Sequence, residues 1–228
     1  MIKMDRFRLP VILLTVLIFG GLPAGCGSVS ICGQDVDRAG TELLQNGDFK
    51  QGLAFWQKLD TAGQHEAGGH QILGTNRVQA DREKDCGYMA TFHREDSAGT
   101  SGLIGLEQPL SIAKTETPAL KLQMILRIDH QQLASDGFLG GETSVFVTID
   151  YQDAAGDAKS WSHGFLTENS RVNYPERDQT IAPTYWFKFD VDDLFAKIPD
   201  AARVTKVTVG GNGQDFHSRV LMISLLGK

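Results

Sequence analysis

The sequence predicts an all-β protein, an antiparallel β-sandwich. Three observations predict it. Several segments alternate apolar and polar residues with a period of two, clusters of Gly, Asp and Asn separate them, and only one short segment reads as helix. Of 228 residues, 25 are Gly, above the roughly 7% typical of globular chains, which suits a chain with many turns. Hydrophobic residues make up 41% and charged residues 22%, a composition that excludes a disordered chain and a multi-span membrane protein. With 22 Lys and Arg against 28 Asp and Glu, a net charge of -6, the chain has no electrostatic footprint for nucleic acid.

Residues 1–25 read as an export signal. Lys3, Arg6 and Arg8 against Asp5 make a basic start, Val11 to Phe19 is apolar except for Thr15, and small residues follow up to Gly25. The apolar run is shorter than the roughly 20 residues a spanning helix needs. Leu22-Pro23-Ala24-Gly25-Cys26 resembles the lipobox of bacterial lipoproteins, with Pro23 where an aliphatic residue is usual. An ordinary signal peptide cut nearby is the alternative. The lipobox resemblance implies that Cys26 is acylated and that the chain is exported and held at a membrane by this lipid anchor. Gly27 in place of Asp implies the bacterial outer membrane. Residues 26–40, small and polar, then form a lipidated tether, and a single domain occupies 41–228. With Cys26 acylated, Cys32 and Cys86 remain, and an exported chain could join them as a disulfide; two free thiols are the alternative.

Within the domain, Leu120 to Asp129 is the clearest strand, with Leu120, Leu122, Met124, Leu126 and Ile128 on one face and Lys121, Gln123, Ile125, Arg127 and Asp129 on the other. Ser144 to Tyr151 repeats the pattern, with Val145, Val147 and Ile149 opposite Phe146, Thr148 and Asp150. Asp153 to Asp157 turns it into Lys159 to Phe165 as a hairpin. Tyr185 to Val191, Val204 to Val209 and Val220 to Leu226 read as further strands. Val191 to Lys197 reads as a brief helix that stops before Pro199.

The segment Glu42-Leu43-Leu44-Gln45-Asn46-Gly47-Asp48-Phe49, followed by Gly52-Leu53 and Trp56, resembles the opening strand of the galactose-binding-domain-like β-sandwiches, a jelly-roll superfamily that includes many bacterial carbohydrate-binding modules. The stretch from Arg127 to Phe165 resembles extracellular sandwiches of the same superfamily. The resemblance implies that Val220 to Leu226 pairs beside the first strand and that the domain binds rather than reacts. Phe49 and Trp56 read as closure of the core rather than ligand contacts. Many such modules hold a structural calcium near the opening Phe and in the last strand; Lys50 and Leu221-Met222 occupy those places here, a poor set for a hard cation.

Catalytic motifs are missing. His65 and His70 are five apart with Gly68 and Gly69 between them, which does not match a zinc-protease helix, and Ser101 lacks a nucleophile elbow. Asp190, Asp192 and Asp193 read as helix-capping residues. Asp129 and Glu142 are the only carboxylates to name for glycosidase chemistry. No metal, cofactor or catalytic residue is expected. Sugar recognition needs an aromatic plane and planar polar groups in a groove. Trp161, Tyr185 and Trp186 are the candidate planes, and Arg127, Asp129 and His163 the candidate polar partners. For Trp161 and His163, which share a strand face with Phe165, a place in the core is the competing reading. The sequence therefore predicts a lipid-anchored, non-catalytic binding module of the cell envelope whose partner is a glycan, with a structural or assembly lipoprotein that binds an envelope protein as the alternative.

Overall fold

The computed structural model describes residues 28–65, 69, 71–132, 142–167 and 174–228. The expected signal peptide and Cys26 lie outside them, as does His70. The described chain begins with strands β1 (Ser28–Ile31), β2 (Gln34–Asp37), β3 (Thr41–Glu42), β4 (Gln57–Asp60) and β5 (Thr75–Glu83). It continues through β6 (Gly87–Glu95), β7 (Gly102–Ala113), β8 (Leu120–Gln131), β9 (Thr143–Asp153) and β10 (Ala158–Thr167). After β11 (Asp178–Ile181) and β12 (Phe187–Val191) comes the four-residue helix α1 (Leu194–Lys197), then β13 (Ala201–Gly213) and β14 (Phe216–Gly227).

The long strands form two sheets packed face to face. Sheet I has the order β11-β10-β9-β13-β7-β4, and sheet II the order β12-β8-β14-β6-β5 with β3 also on β14. Every pairing is antiparallel except β10 with β11. The period-two pattern sets which side is buried: Leu122, Met124, Leu126 and Ile128 from β8 meet Val145, Val147 and Ile149 from β9 in one core. The fold class read from the sequence is the fold observed.

The expected opening strand is different. Only Thr41 and Glu42 form ladder bonds, opposite Gly227 and Leu226, because Asn46 and Phe49 both take φ of 53° and cannot continue a strand. The chain still follows β14: the Leu43 N–H donates to the Leu225 carbonyl and the Ile223 N–H to the Gly47 carbonyl. A Cβ at Gly47 would lie 2.0 Å from the Ile223 oxygen, so only glycine allows that approach. Phe49 and Trp56 are buried with ring centres 5.9 Å apart.

Residues 28–37, expected as part of a tether, form the β1-β2 hairpin instead. Its Val36, Ile31 and Cys32 pack on Met89, Ile125, Leu221 and Met222, which point outward from sheet II. Cys32 is joined to Cys86 by a disulfide, with Cα atoms 4.9 Å apart. Those outward apolar residues need a cover, and the hairpin supplies it.

Candidate functional site

The sandwich has two outer faces. On sheet I, strand register places outward residues in transverse rows. One row runs Gly105, Gly210, Phe146, Gly164 and Asp178. The next holds Glu107, Thr208, Thr148 and Ser162. Phe146 is the one large apolar side chain in these two rows, and its cross-strand neighbours on both sides are glycines. Those glycines are required by packing as well. A Cβ at Gly164 would sit 2.5 Å from both Asp178 Oδ1 and Thr143 Cγ2, and one at Gly210 would sit 2.2 Å from the Ile104 oxygen. Above this row lies a groove of about 190 Å³, lined by Phe146, Thr148, Ser162, Arg177, Asp178 and Asn212 among others.

The polar groups of the groove are fixed in place. The Asp178 carboxylate is buried and accepts two hydrogen bonds from the Arg177 guanidinium, from Nε at 2.9 Å and from Nη2. The Thr148 and Ser162 hydroxyls are 2.7 Å apart and bonded to each other. Beyond Thr148, Lys206 lies 2.9 Å from Glu107 and 3.2 Å from Asp150. Hydrogen bonding to Glu107 and the charge of Asp150 push the ammonium pKa up against its partial burial. This groove combines an accessible ring with hydroxyl, amide and guanidinium groups, and so can stack one molecular face and bond hydroxyls around its rim.

Sheet II is half covered by the hairpin, and its other half is an open polar platform. Arg127 and Arg219 face one another across β8 and β14. Arg127 lies 3.2 Å from Glu83 and 2.7 Å from Asp129, and Arg219 lies 3.3 Å and 2.7 Å from the same two carboxylates, so four charges close a ring. Next to it, His217 Nδ1 is 3.7 Å from Asp129, and His93 Nε2 is 3.6 Å from Glu95, which also pairs with Arg77 at 2.9 Å. Burial lowers the pKa of the His217 imidazole, Asp129 opposing and Arg219 and His93 assisting. A groove of about 170 Å³ is lined here by Arg77, Gln79, Asp81, Thr91, His93, His217 and Arg219.

The structure divides the residues the sequence singled out for ligand contact. Arg127, Asp129 and Trp186 come together on sheet II, with the Arg127 guanidinium 4.6 Å over the Trp186 ring. Tyr185 is 71% exposed beside them in sequence, just ahead of edge strand β12. Trp161 and His163 point inward from sheet I. The His163 ring stacks on Phe189 at 4.6 Å and lies edge-on to Phe165, so the competing core reading holds for this face. Burial pushes the His163 pKa down. Asp129 lies on β8 of sheet II, whereas Glu142 immediately precedes β9 of sheet I. Asp193 caps α1 by accepting from the Phe195 N–H, while Asp192 and Asp190 pair with Lys121 and Lys188.

Phe146 was legible but passed over. It stands on the polar side of an amphipathic strand, and an aromatic among Thr and Asp at that phase is the signal that marks it.

No family model matches the sequence, and no curated protein matches it. Among solved structures the chain is similar to TmCBM61 in complex with beta-1,4-galactotriose, at 12% identity and a TM-score of 0.45, over 82% of this chain and 99% of that one. It is similar to the family 11 carbohydrate-binding module from Clostridium thermocellum in complex with a beta-1,3-1,4-mixed-linked tetrasaccharide, at 12% identity and a TM-score of 0.45, over 82% and 95% of the two chains. It is also similar to the K3 cleaved adhesin domain of Lys-gingipain from Porphyromonas gingivalis, at 15% identity and a TM-score of 0.42, over 82% and 98%.

Proposed function

We propose that this chain is a glycan-binding module of the bacterial cell envelope, anchored through an acylated Cys26, and that the glycan lies in the Phe146 groove of sheet I. The observation that carries the reading is the ring of Phe146 between two glycines, with hydroxyl and charged groups around it. Sheet II supports a sugar less well, because the Arg127 guanidinium already occupies a face of the Trp186 ring and the charged groups there bond one another. The role is binding, with Phe146 as the stacking plane, Arg177 and Asn212 as the orienting groups, and the buried Asp178 holding the Arg177 guanidinium in position.

Affinity electrophoresis of the full chain in gels containing neutral β-glucan, galactan or xylan tests the proposal. The Phe146→Ala variant is expected to lose about tenfold or more in affinity for whichever polymer retards the parent. Equal retardation of the two proteins would refute the groove. No retardation by any polymer, with capture of an envelope protein instead, would turn the assignment to an assembly lipoprotein. Incorporation of radiolabelled palmitate, lost in Cys26→Ser, is the corresponding test of the anchor.

A further inference from the structure

We propose that His93 and His217, on the open half of sheet II, form a binding site for a divalent transition-metal ion such as Zn²⁺ or Cu²⁺. The two residues are direct cross-strand partners on β6 and β14 and point to the same side. Their ring centres are 5.1 Å apart. Two imidazoles bound to one tetrahedral ion, with metal–nitrogen distances of ~2.0–2.1 Å, hold their ring centres about 5 Å apart, so the backbone register already supplies the required spacing.

Each ring also has a carboxylate near one of its nitrogens, just beyond hydrogen-bond length. His93 directs Nε2 toward Glu95 at 3.6 Å, and His217 directs Nδ1 toward Asp129 at 3.7 Å. Closing either gap to hydrogen-bond length on metal binding would fix the ring and strengthen the other nitrogen as a donor. That leaves His93 Nδ1 and His217 Nε2 as the ligating atoms, and both rings line the 170 Å³ groove. The neighbouring cations do not oppose an incoming ion strongly. Arg77 is paired with Glu95, and Arg219 with Asp129 and Glu83. Among the described residues no set of three or more His, Cys, Asp or Glu is gathered for a metal, so the protein supplies two ligands and water completes the shell. An all-nitrogen pair of this kind selects borderline ions over Ca²⁺ or Mg²⁺.

Isothermal titration of the full chain with ZnCl₂ or CuCl₂, with CaCl₂ as the control, reads the site. Saturable binding of one equivalent of Zn²⁺ or Cu²⁺, but not of Ca²⁺, is expected. His93→Gln and His217→Gln should each weaken it at least tenfold with far-UV dichroism unchanged. Glu95→Gln, which touches no metal, should weaken it about tenfold or more. The double variant His65→Ala/His70→Ala should bind as the parent does. No saturable heat, undiminished binding in His93→Gln, or loss in the His65/His70 variant would each overturn the assignment. None of these outcomes bears on the Phe146 groove, which lies on the other sheet.

Discussion

His163 shows how a single side chain can be made to answer to pH. Its ring sits in the core against Phe189, and burial lowers its pKa, with Gln179 and Asp178 opposing. An unfolded histidine titrates near about 6.5. The unfolded chain therefore takes up the proton more readily, and the stability associated with the neutral ring is complete above that pH and declines as pH falls below it. We expect urea midpoints of the parent to drop between pH 7.5 and 5.5, and His163→Phe to show a shallower drop; equal slopes would contradict the assignment. Arg94 is the other telling residue. It is fully buried and donates to the carbonyls of Gly213 at 3.0 Å, Leu73 at 2.6 Å and Thr100 at 3.0 Å, and to Asn76 Oδ1 at 2.7 Å. Gly102 makes room for it, since a Cβ there would lie 2.5 Å from the guanidinium carbon. Arg94→Met leaves several buried acceptors without donors and should cost about 3 kcal/mol or more in chemical denaturation. No sequence pattern marks Arg94, because its partners, three backbone carbonyls and the Asn76 amide oxygen, are scattered over more than a hundred positions.

Among elements, legibility followed the strength of alternation. β8 and β9 carry apolar residues at every second position, and each is where the pattern puts it; β14 is readable instead by its apolar run from Val220 to Ile223, buried on both sides, with the phase changing at the shift between Val220 and Met222. β5 was invisible because Thr75–Glu83 holds only Val78 and Ala80 as apolar residues, and its half-open edge position does not demand more. β7 was hidden by Gly102, Gly105 and Pro109, which usually break strands. Pro109 is tolerated opposite Lys206, beside the register shift that β13 makes between Val204 and Lys206. The candidate groove was half legible for a related reason: β9 and β10 were read correctly as strands, but the glycines that expose Phe146 become its neighbours only through pairing. The β1-β2 hairpin was the plainest miss. Its exposed positions, Val29, Ser30, Gly33 and Asp35, carry no strand pattern, and what fixes the ten residues is the disulfide and an apolar patch distant in sequence.

Over the whole molecule, the disulfide closes a separation of 54 residues and ties the hairpin to the sandwich. In the chain-entropy account a loop of that length contributes about 3 to 5 kcal/mol. Cys32→Ser/Cys86→Ser should lower the unfolding free energy by that order while hydrogen exchange quickens first in residues 28–37. Uniform acceleration through β8 and β14 would show that the hairpin is integral to the core rather than a cover on it. The two sheets meanwhile share one continuous core, so denaturation of the sandwich itself is expected as one cooperative transition.

The position of that hairpin carries a geometric corollary. Gly27 alone separates Cys26 from the first residue of β1, a leash of no more than about 7 Å. With acyl chains on Cys26, the body could neither float away from its lipid nor tumble freely. The surface bearing the hairpin would rest near the headgroups, and the Phe146 side, being the reverse of the molecule, would look out toward whatever polymer passes.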